Sequence, residues 1–540
     1  MALKPNLNTV RNKIFLANAY ENALADSTSN TYLGIAKPLY WTSNIPPAPI
    51  ETTESINETF RDLVAIKKIT SSDINLVIPR EDWVSGTNYD EYTENLELYT
   101  YETLTAISGL STVYTQFEAL TNQLEGDANT DYTTQLSEND LIVILGDGST
   151  DYPRVVKEVI TVDSSTLLTL NSTFQHFYVD STVYKLQNSY PKYANKFYVR
   201  NTQDQVFKCL YNNDSAASTI MPQISLDGSL PENAYIETSD GYKWKYMYTI
   251  PAGMKEKFFT SEWMPVVSEN IVTTSAVNGR LDIFKINDGG SGFQAGANSN
   301  SAAIITVTGD GSSANLTATV VDGVVTKINF IDSGINYTNA TVSFSDPSKI
   351  AATANANVTA IIGPQNGHGF DPAYELGATN LMVSVDLSGT EDSTIPTNNG
   401  VDTFDYRQIV LLRNPKDASG NYLSGTNYKT CSVISVTPPP SNFRMDETVY
   451  QGTNLSTSTF SATVVYWDSS ANELWVNNPI GTFSPSSTLK GTVQTSAVTA
   501  FTLTEPTYQE FTGEILYIEN RDAIQRNSFQ TEQIKLILSF

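Results

Sequence analysis

The apolar residues of this chain arrive in runs no longer than a strand, and this restricts its fold more than any other property. The longest, such as Leu141-Ile142-Val143-Ile144-Leu145, fall far short of the roughly 18–20 residues that cross a bilayer. Phe197-Tyr198-Val199, Val206 to Leu210, Ile304 to Val307 and Ala462 to Val465 are of the same kind, and Gly, Asn, Asp and Ser clusters separate them. Short strands joined by polar turns indicate sandwiches or small barrels rather than βαβ units. The expected fold is mainly β, an α+β chain with few short helices, built as a multi-domain β-sandwich body that carries inserted small β modules. Helical spacing is confined to the first seventy residues. Val10, Ile14 and Ala17 recur on one face up to Leu24, and Ser55 with Glu58 has the spacing of a capping box ahead of a short helix with Phe60, Leu63 and Val64 on one face. Lys67 to Ile78 returns to strand composition.

A length of 540 residues implies about three to five domains. One internal repeat is visible. Asp288-Gly289-Gly290-Ser291-Gly292-Phe293 is followed by Ile304 to Val307 and Ala314 to Val321. Asp332-Ser333-Gly334-Ile335-Asn336-Tyr337 is followed in the same way by Ala340 to Phe344 and Ala351 to Ile362. A unit so small cannot bury its own face, so the copies are expected to pack as one module over 280–365. Strand-rich segments at 118–188 and 432–505 read as two further insertions. Surface loops with neighbouring ends tolerate such additions. The remaining 1–117, 189–279, 366–431 and 506–540 make a body of about 300 residues.

With 32 basic and 58 acidic residues the net charge is −26, and only 17% of residues are charged. A nucleic-acid binder needs clustered Lys and Arg, so that class is excluded. No segment suits membrane insertion, and Ile14 to Ala17, between Lys4 or Arg11 and the polar residues beyond, is too short for a signal core. Cys209 and Cys431 are the only cysteines, which excludes a disulfide framework and points to a soluble chain made in a reducing compartment.

Catalytic signatures are sparse. His176 and His368 are the only histidines, and each reads as an ordinary strand or loop residue. No HExxH, phosphate-binding GxxxxGK[ST] or GxGxxG pattern occurs. The carboxylates read as solvated surface acids rather than a glycosidase pair. Asp147-Gly148, Asp288-Gly289 and Asp310-Gly311 read as turns rather than Ca²⁺ ligands. No catalytic residue, metal or cofactor is expected. Tyr89, Tyr92, Tyr99 and Tyr101 share a stretch with Asp90, Glu91, Glu94 and Glu97, which suits either an interface or a half-exposed strand face. Asn44-Ile45-Pro46-Pro47-Ala48-Pro49 is an extended connector able to lie along a neighbour.

The body segments carry an ordered set of motifs. These are the Arg11-to-Leu24 helix, Asn30-Thr31-Tyr32 with Lys37-Pro38-Leu39-Tyr40-Trp41, and Val77-Ile78-Pro79-Arg80-Glu81-Asp82-Trp83. Asp240-Gly241-Tyr242-Lys243-Trp244-Lys245-Tyr246 follows, with Ile250-Pro251 and Trp263-Met264-Pro265. Tyr406-Arg407-Gln408-Ile409, Asn414-Pro415, Gly513 to Arg521 and Gln530 to Ile534 complete the series. In this order they resemble the baseplate wedge proteins encoded by gene 8 of T4-like contractile-tailed phages, over about half the chain. The three insertions inherit nothing from the resemblance.

The resemblance implies a non-enzymatic virion protein of the tail baseplate, assembled in the host bacterial cytoplasm. It also implies a homodimer that binds other baseplate wedge proteins and rearranges on tail contraction. Its structural or interface candidates are Pro79, Arg80, Trp83, Tyr242, Trp244, Tyr246, Arg407, Asn520 and Arg521. Pro79 ends a strand and Trp83 offers a large anchor. Tyr242, Trp244 and Tyr246 share one strand face, either core or contact. Arg80, Arg407 and Arg521 can grip carboxylates bidentately, within the chain or across an interface. The alternative from the composition is a receptor-binding or glycan-binding or degrading tail protein.

Overall fold

The computed structural model describes residues 10–25, 30–41, 46–50, 52–92, 98–116, 119–137, 140–144, 155–170, 174, 179, 181–193, 196–225, 235–293, 304–345, 355–398 and 402–540. His176, Asp147-Gly148, Asn44-Ile45, Lys4, Glu94 and Glu97 lie outside them, as do the side chains of Arg11, Tyr99 and Tyr101. The fold is mainly β and multi-domain. Among the described residues, the two helices of ten residues or more are Val10–Ala25 and Thr53–Asp62. The second is capped by Thr52, whose hydroxyl accepts from the Ser55 amide at 3.2 Å. The cap therefore sits three residues before the expected Ser55. Leu63 and Val64 have already left the helix for the strand Leu63–Lys68, drawn there by antiparallel pairing with Thr31–Ala36.

The chain divides into two compact units, Asn95–Asn195 and the remainder. The smaller unit is one seven-stranded sheet in the order Leu98–Ala106, Val183–Tyr193, Leu141–Ile144, Val155–Ser164, Leu167–Leu170, Ala119–Gly126, Ser111–Gln116. It is wider than 118–188. Leu98–Ala106 bonds along Val183–Tyr193, and Ser111–Gln116 bonds along Ala119–Gly126, so both flanks are needed to complete the sheet. Its core gathers Leu124, Tyr132, Ile142, Val159 and Leu168.

In the larger unit two sheets share the body. One runs Asn427–Lys429, Leu63–Lys68, Thr31–Ala36, Phe404–Arg413, Glu514–Arg526. The other runs Trp263–Pro265, Ile74–Pro79, Asn380–Ser388, Thr531–Ser539. The chain passes from one sheet to the other three times in short steps, at 68–74, 388–404 and 526–531. A third sheet orders Tyr198–Arg200, Gln205–Tyr211, Lys243–Thr249 and Tyr235–Glu237. The segment 432–505 holds a closed six-stranded barrel running from Ser432 to Thr504, filled by Phe443, Phe460, Trp467 and Leu474 among others. Closure leaves no unpaired edge in that insertion.

The repeat between 280 and 365 is interlocked. The first strand of one copy, Leu281–Asp288, pairs with the last strand of the other, Asn357–Ile362, and Ser312–Val321 pairs reciprocally with Val324–Ile335. The turns match atom for atom. Asp288 accepts from the Gly290 amide and Asp332 from the Gly334 amide, each at 2.8 Å. Phe293 N donates to Gly323 O at 3.1 Å, and Tyr337 N to Gly279 O at 3.0 Å. The ring of each turn is buried in a shared core.

The two equivalent glycines differ in space. A Cβ on Gly279, at φ +60°, would stand 2.3 Å from Tyr337 N, whereas on Gly323, at φ +81°, its nearest neighbour is 3.3 Å away. Gly279→Ala is expected to lower stability by at least ~2 kcal/mol and Gly323→Ala by about 1 kcal/mol, because both strain φ but the first also breaks the Tyr337 bond. Denaturant unfolding of the two variants checks the order, and equal losses would refute it.

Candidate functional site

The strand Lys243–Thr249 shows how a period of two sorts side chains. Trp244 and Tyr246, with Tyr242 just before the strand, point to one face, where they are buried with Tyr89, Val199, Phe207 and Cys209. Tyr242 stacks on Trp244 at 5.4 Å and 15°, and Tyr89 meets Trp244 edge-on at 5.6 Å. Tyr246 donates to Glu269 at 2.6 Å. This face is core. Trp83 is only half-buried at its margin, and its Nε1 reaches out to Ser218 Oγ at 3.1 Å, so it is less the enclosed anchor that the sequence suggests. Pro79 ends its strand, and its carbonyl accepts from Tyr198 OH at 2.8 Å.

The three arginines have different fates. Arg80 bonds Asp82 from Nε at 2.9 Å and also from Nη2. It shares that carboxylate with Arg200 at 2.7 Å, and both guanidiniums lie over Phe259. Arg407 is fully buried. It bonds Asp405 and Asp446 at 2.8 Å each, donates to Pro38 O, and lies over the Tyr40 ring at 3.5 Å. Lys37 joins the same two carboxylates. Arg521 is more than half exposed, and its ion pair with Glu519 is loose at 3.4 Å. Asn520 accepts from Gln408 at 2.7 Å and donates to Pro47 O at 2.8 Å, while Trp41 Nε1 donates to Arg521 O at 2.9 Å. Pro47 of the proline connector and Trp41 before it thus meet Glu514–Arg526 of the same chain at Asn520 and Arg521. Arg526, not singled out by its sequence, is as buried as Arg407 and holds Glu532 at 3.0 Å with two backbone carbonyls.

On the opposite face of the aromatic strand the sequence places Lys243 and Lys245, and across from Lys245 lies Lys208. Lys208 and Lys245 are buried, so their charges need partners. The Gly367-His368-Gly369 loop and the short turn Pro372–Glu375 supply those of Lys208. Lys208 Nζ contacts Glu375 Oε2, lies 2.7 Å from His368 Nδ1 and sits 3.9 Å over the Tyr92 ring. Gly369 N donates to Glu375 Oε1 at 2.7 Å and Asp371 N at 3.3 Å. Gly369 is at φ +90°, and a Cβ there would stand 2.7 Å from Val272 Cγ1, so no larger residue holds the loop this close.

An ammonium donates to Nδ1, which leaves the imidazole proton on Nε2, 3.9 Å from Asp282 Oδ2. Burial, then Lys208, holds the His368 pKa below its usual value. Burial acts to raise the Glu375 pKa, but Lys208 and His368 together outweigh it and bring the carboxyl down to about 2. Lys245 falls to about 8 by burial, against the pull of Asp282. Beside this cluster a cavity of about 490 Å³ opens between Tyr235, Lys243, Arg280, Asp282, Ile283 and Phe330.

Chemically the cluster sets an amine, an imidazole and a carboxyl in mutual contact, with two backbone amides on the far carboxyl oxygen. Sequence reasoning took His368 for an ordinary loop residue and missed Lys208 and Glu375. The one available signal was the Tyr-Lys-Trp-Lys-Tyr alternation, which demands carboxylates opposite the lysines if both faces are covered. Among the described residues no group of three or more His, Cys, Asp or Glu is placed to hold a metal, and no helix is long and apolar enough to cross a membrane. The described acidic turns use their oxygens internally, Asp288 with the Gly290 amide and Asp310 with the amides of Thr338 and Asn339. Cys209 and Cys431 are buried free thiols, and burial pushes Cys431 up to about 12. Comparison with protein-family models finds none that matches this chain, and no curated protein matches it either.

Proposed function

We propose that this protein is a structural subunit of a contractile phage tail baseplate wedge, acting as a homodimer that binds other wedge proteins through shape-matched faces. The observation that supports the reading is where the resembling segments meet. Thr31–Ala36, Phe404–Arg413 and Glu514–Arg526 are adjacent strands of one sheet, and Ile74–Pro79, Trp263–Pro265 and Thr531–Ser539 belong to another. Motifs scattered over five hundred residues thus contribute to two shared sheets, with the 240–246 motif in a third, while the repeat module and the barrel form sheets of their own. Buried ion pairs, Lys37 with Asp405 and Arg526 with Glu532, tie segments of that body together, and Arg521 is left outward-facing beside the proline connector. A block of this kind can transmit a rearrangement, provided some contacts differ between the two states of the tail.

The test is a reconstruction of intact tails with the chain located in the density, paired with Arg521→Glu. The variant is expected to melt as wild type does yet to enter tail particles at a fraction of the wild-type yield. A chain absent from particles, or a variant incorporated in full, would count against the baseplate role and the Arg521 contact respectively.

A further inference from the structure

We propose that Lys208 and Glu375 react with one another, joining Nζ to Cδ in an intramolecular amide bond and releasing one water. The inference goes beyond the baseplate reading and does not depend on it. Four observations carry it. The nucleophile and the acyl group already touch, so no translational freedom remains to be lost on the way to the transition state. His368 Nδ1 is within reach of both reacting groups, 2.7 Å from the amine and 3.7 Å from Glu375 Oε2. The Gly369 and Asp371 amides grip Oε1, the oxygen on which negative charge develops. The side chains of Lys208, Glu375 and His368 are at most 3% exposed, which keeps bulk water from the site.

The step balances without a co-reactant. The ammonium carries three protons. His368 removes one, and the freed amine lone pair attacks Cδ to give a tetrahedral centre with its oxyanion on Oε1. That proton and a second from the nitrogen pass through the imidazole to Oε2, the Cδ–Oε2 bond breaks, and Oε2 leaves as water. One proton remains on the amide nitrogen. The resting pair is ionic, so a proton carrier is essential, and His368 held neutral by burial suits that role.

Among the described residues a second buried lysine–carboxylate contact, Lys37 with Asp405, has no such carrier. There Arg407 Nε, not an imidazole, sits on the second carboxylate oxygen. Because Lys208 precedes the repeat module and Glu375 follows it, the new bond closes a covalent ring that begins and ends in the body.

Intact-mass measurement of the purified full-length chain decides the matter. The expected mass is lower than that of the sequence by one water, with a branched tryptic peptide joining Lys208 to Glu375 and no cleavage after Lys208. Lys208→Arg and Glu375→Ala are expected to regain full mass, and His368→Gln to form the bond slower by on the order of 100-fold. A wild-type mass equal to that of the sequence overturns the proposal, whether or not the variants fold. So does a missing water that maps elsewhere, for example to a cyclised Asp-Gly turn. Formation at an undiminished rate in His368→Gln overturns the proton-carrier mechanism.

Discussion

Replacing Arg407 by alanine is expected to destabilise the body by about 3–5 kcal/mol, because the change strands the buried Asp405 and the part-buried Asp446 rather than removing a surface charge. The guanidinium is inaccessible and satisfies three separate parts of the chain: the carbonyl of Pro38, Asp405 on its own strand, and Asp446 just before the barrel strand Thr448–Gln451. Without it, Lys37 alone must neutralise both acids, and the Tyr40 ring loses the cation beneath which it lies. Arg407→Lys should recover only part of the loss, since an ammonium cannot make the forked bonds or stack flat on the ring. Arg521→Ala supplies the contrast. Its ion pair is exposed and long, so a change within about 0.5 kcal/mol is expected. Thermal or denaturant unfolding of the full chain measures all three. A near-wild-type Arg407→Ala would mean that the clasp is not what holds the barrel segment to the strand Phe404–Arg413.

That contrast also shows what the sequence could and could not convey. Strands, turns, the Val10–Ala25 helix and the duplicated Asp–Gly turns were legible because they depend on neighbours a few residues apart. The structure adds the mates: a 44-residue offset relates Gly279 to Gly323 and Phe293 to Tyr337, and the two pairs bond reciprocally. Three arginines that look alike in the sequence, by contrast, end as a loop pin, a buried clasp and an exposed side chain. Their partners come from segments as distant as Pro38 and Asp446, and no local spacing encodes that.

The same holds for the amine, imidazole and carboxyl cluster. Lys208 lies on a strand, while His368 and Glu375 follow an entire inserted module. The flanks of the 118–188 segment were misjudged for a related reason. Leu98–Ala106 looks like any other half-polar strand until its partner, Val183–Tyr193, is known. Helix capping failed at shorter range. Thr52 and Ser55 are both competent caps, and what selects Thr52 is the demand of Leu63 and Val64 to join the sheet.

Trp244 allows the core and contact readings of the aromatic strand to be separated by one substitution. Its indole is fully buried between Tyr242, stacked on it, and Tyr89, edge-on to it, and it is among the largest enclosed side chains in the body. Trp244→Ala therefore removes a large apolar volume from a packed site, and a loss of about 3–5 kcal/mol is expected, with the chain recovered largely as aggregate. Trp244→Phe is informative because Trp244 Nε1 has no hydrogen-bond partner among the described residues. Deleting that buried donor relieves a penalty of roughly 1–3 kcal/mol, which offsets much of the lost volume, so phenylalanine should stay close to wild type. A ring serving mainly as a subunit contact would behave otherwise: both variants would fold as monomers of ordinary stability and fail only when partners are added. Stability and assembly are thus measured on the same two proteins. If Trp244→Ala unfolds at the wild-type midpoint, the assignment of this strand face to the core is wrong.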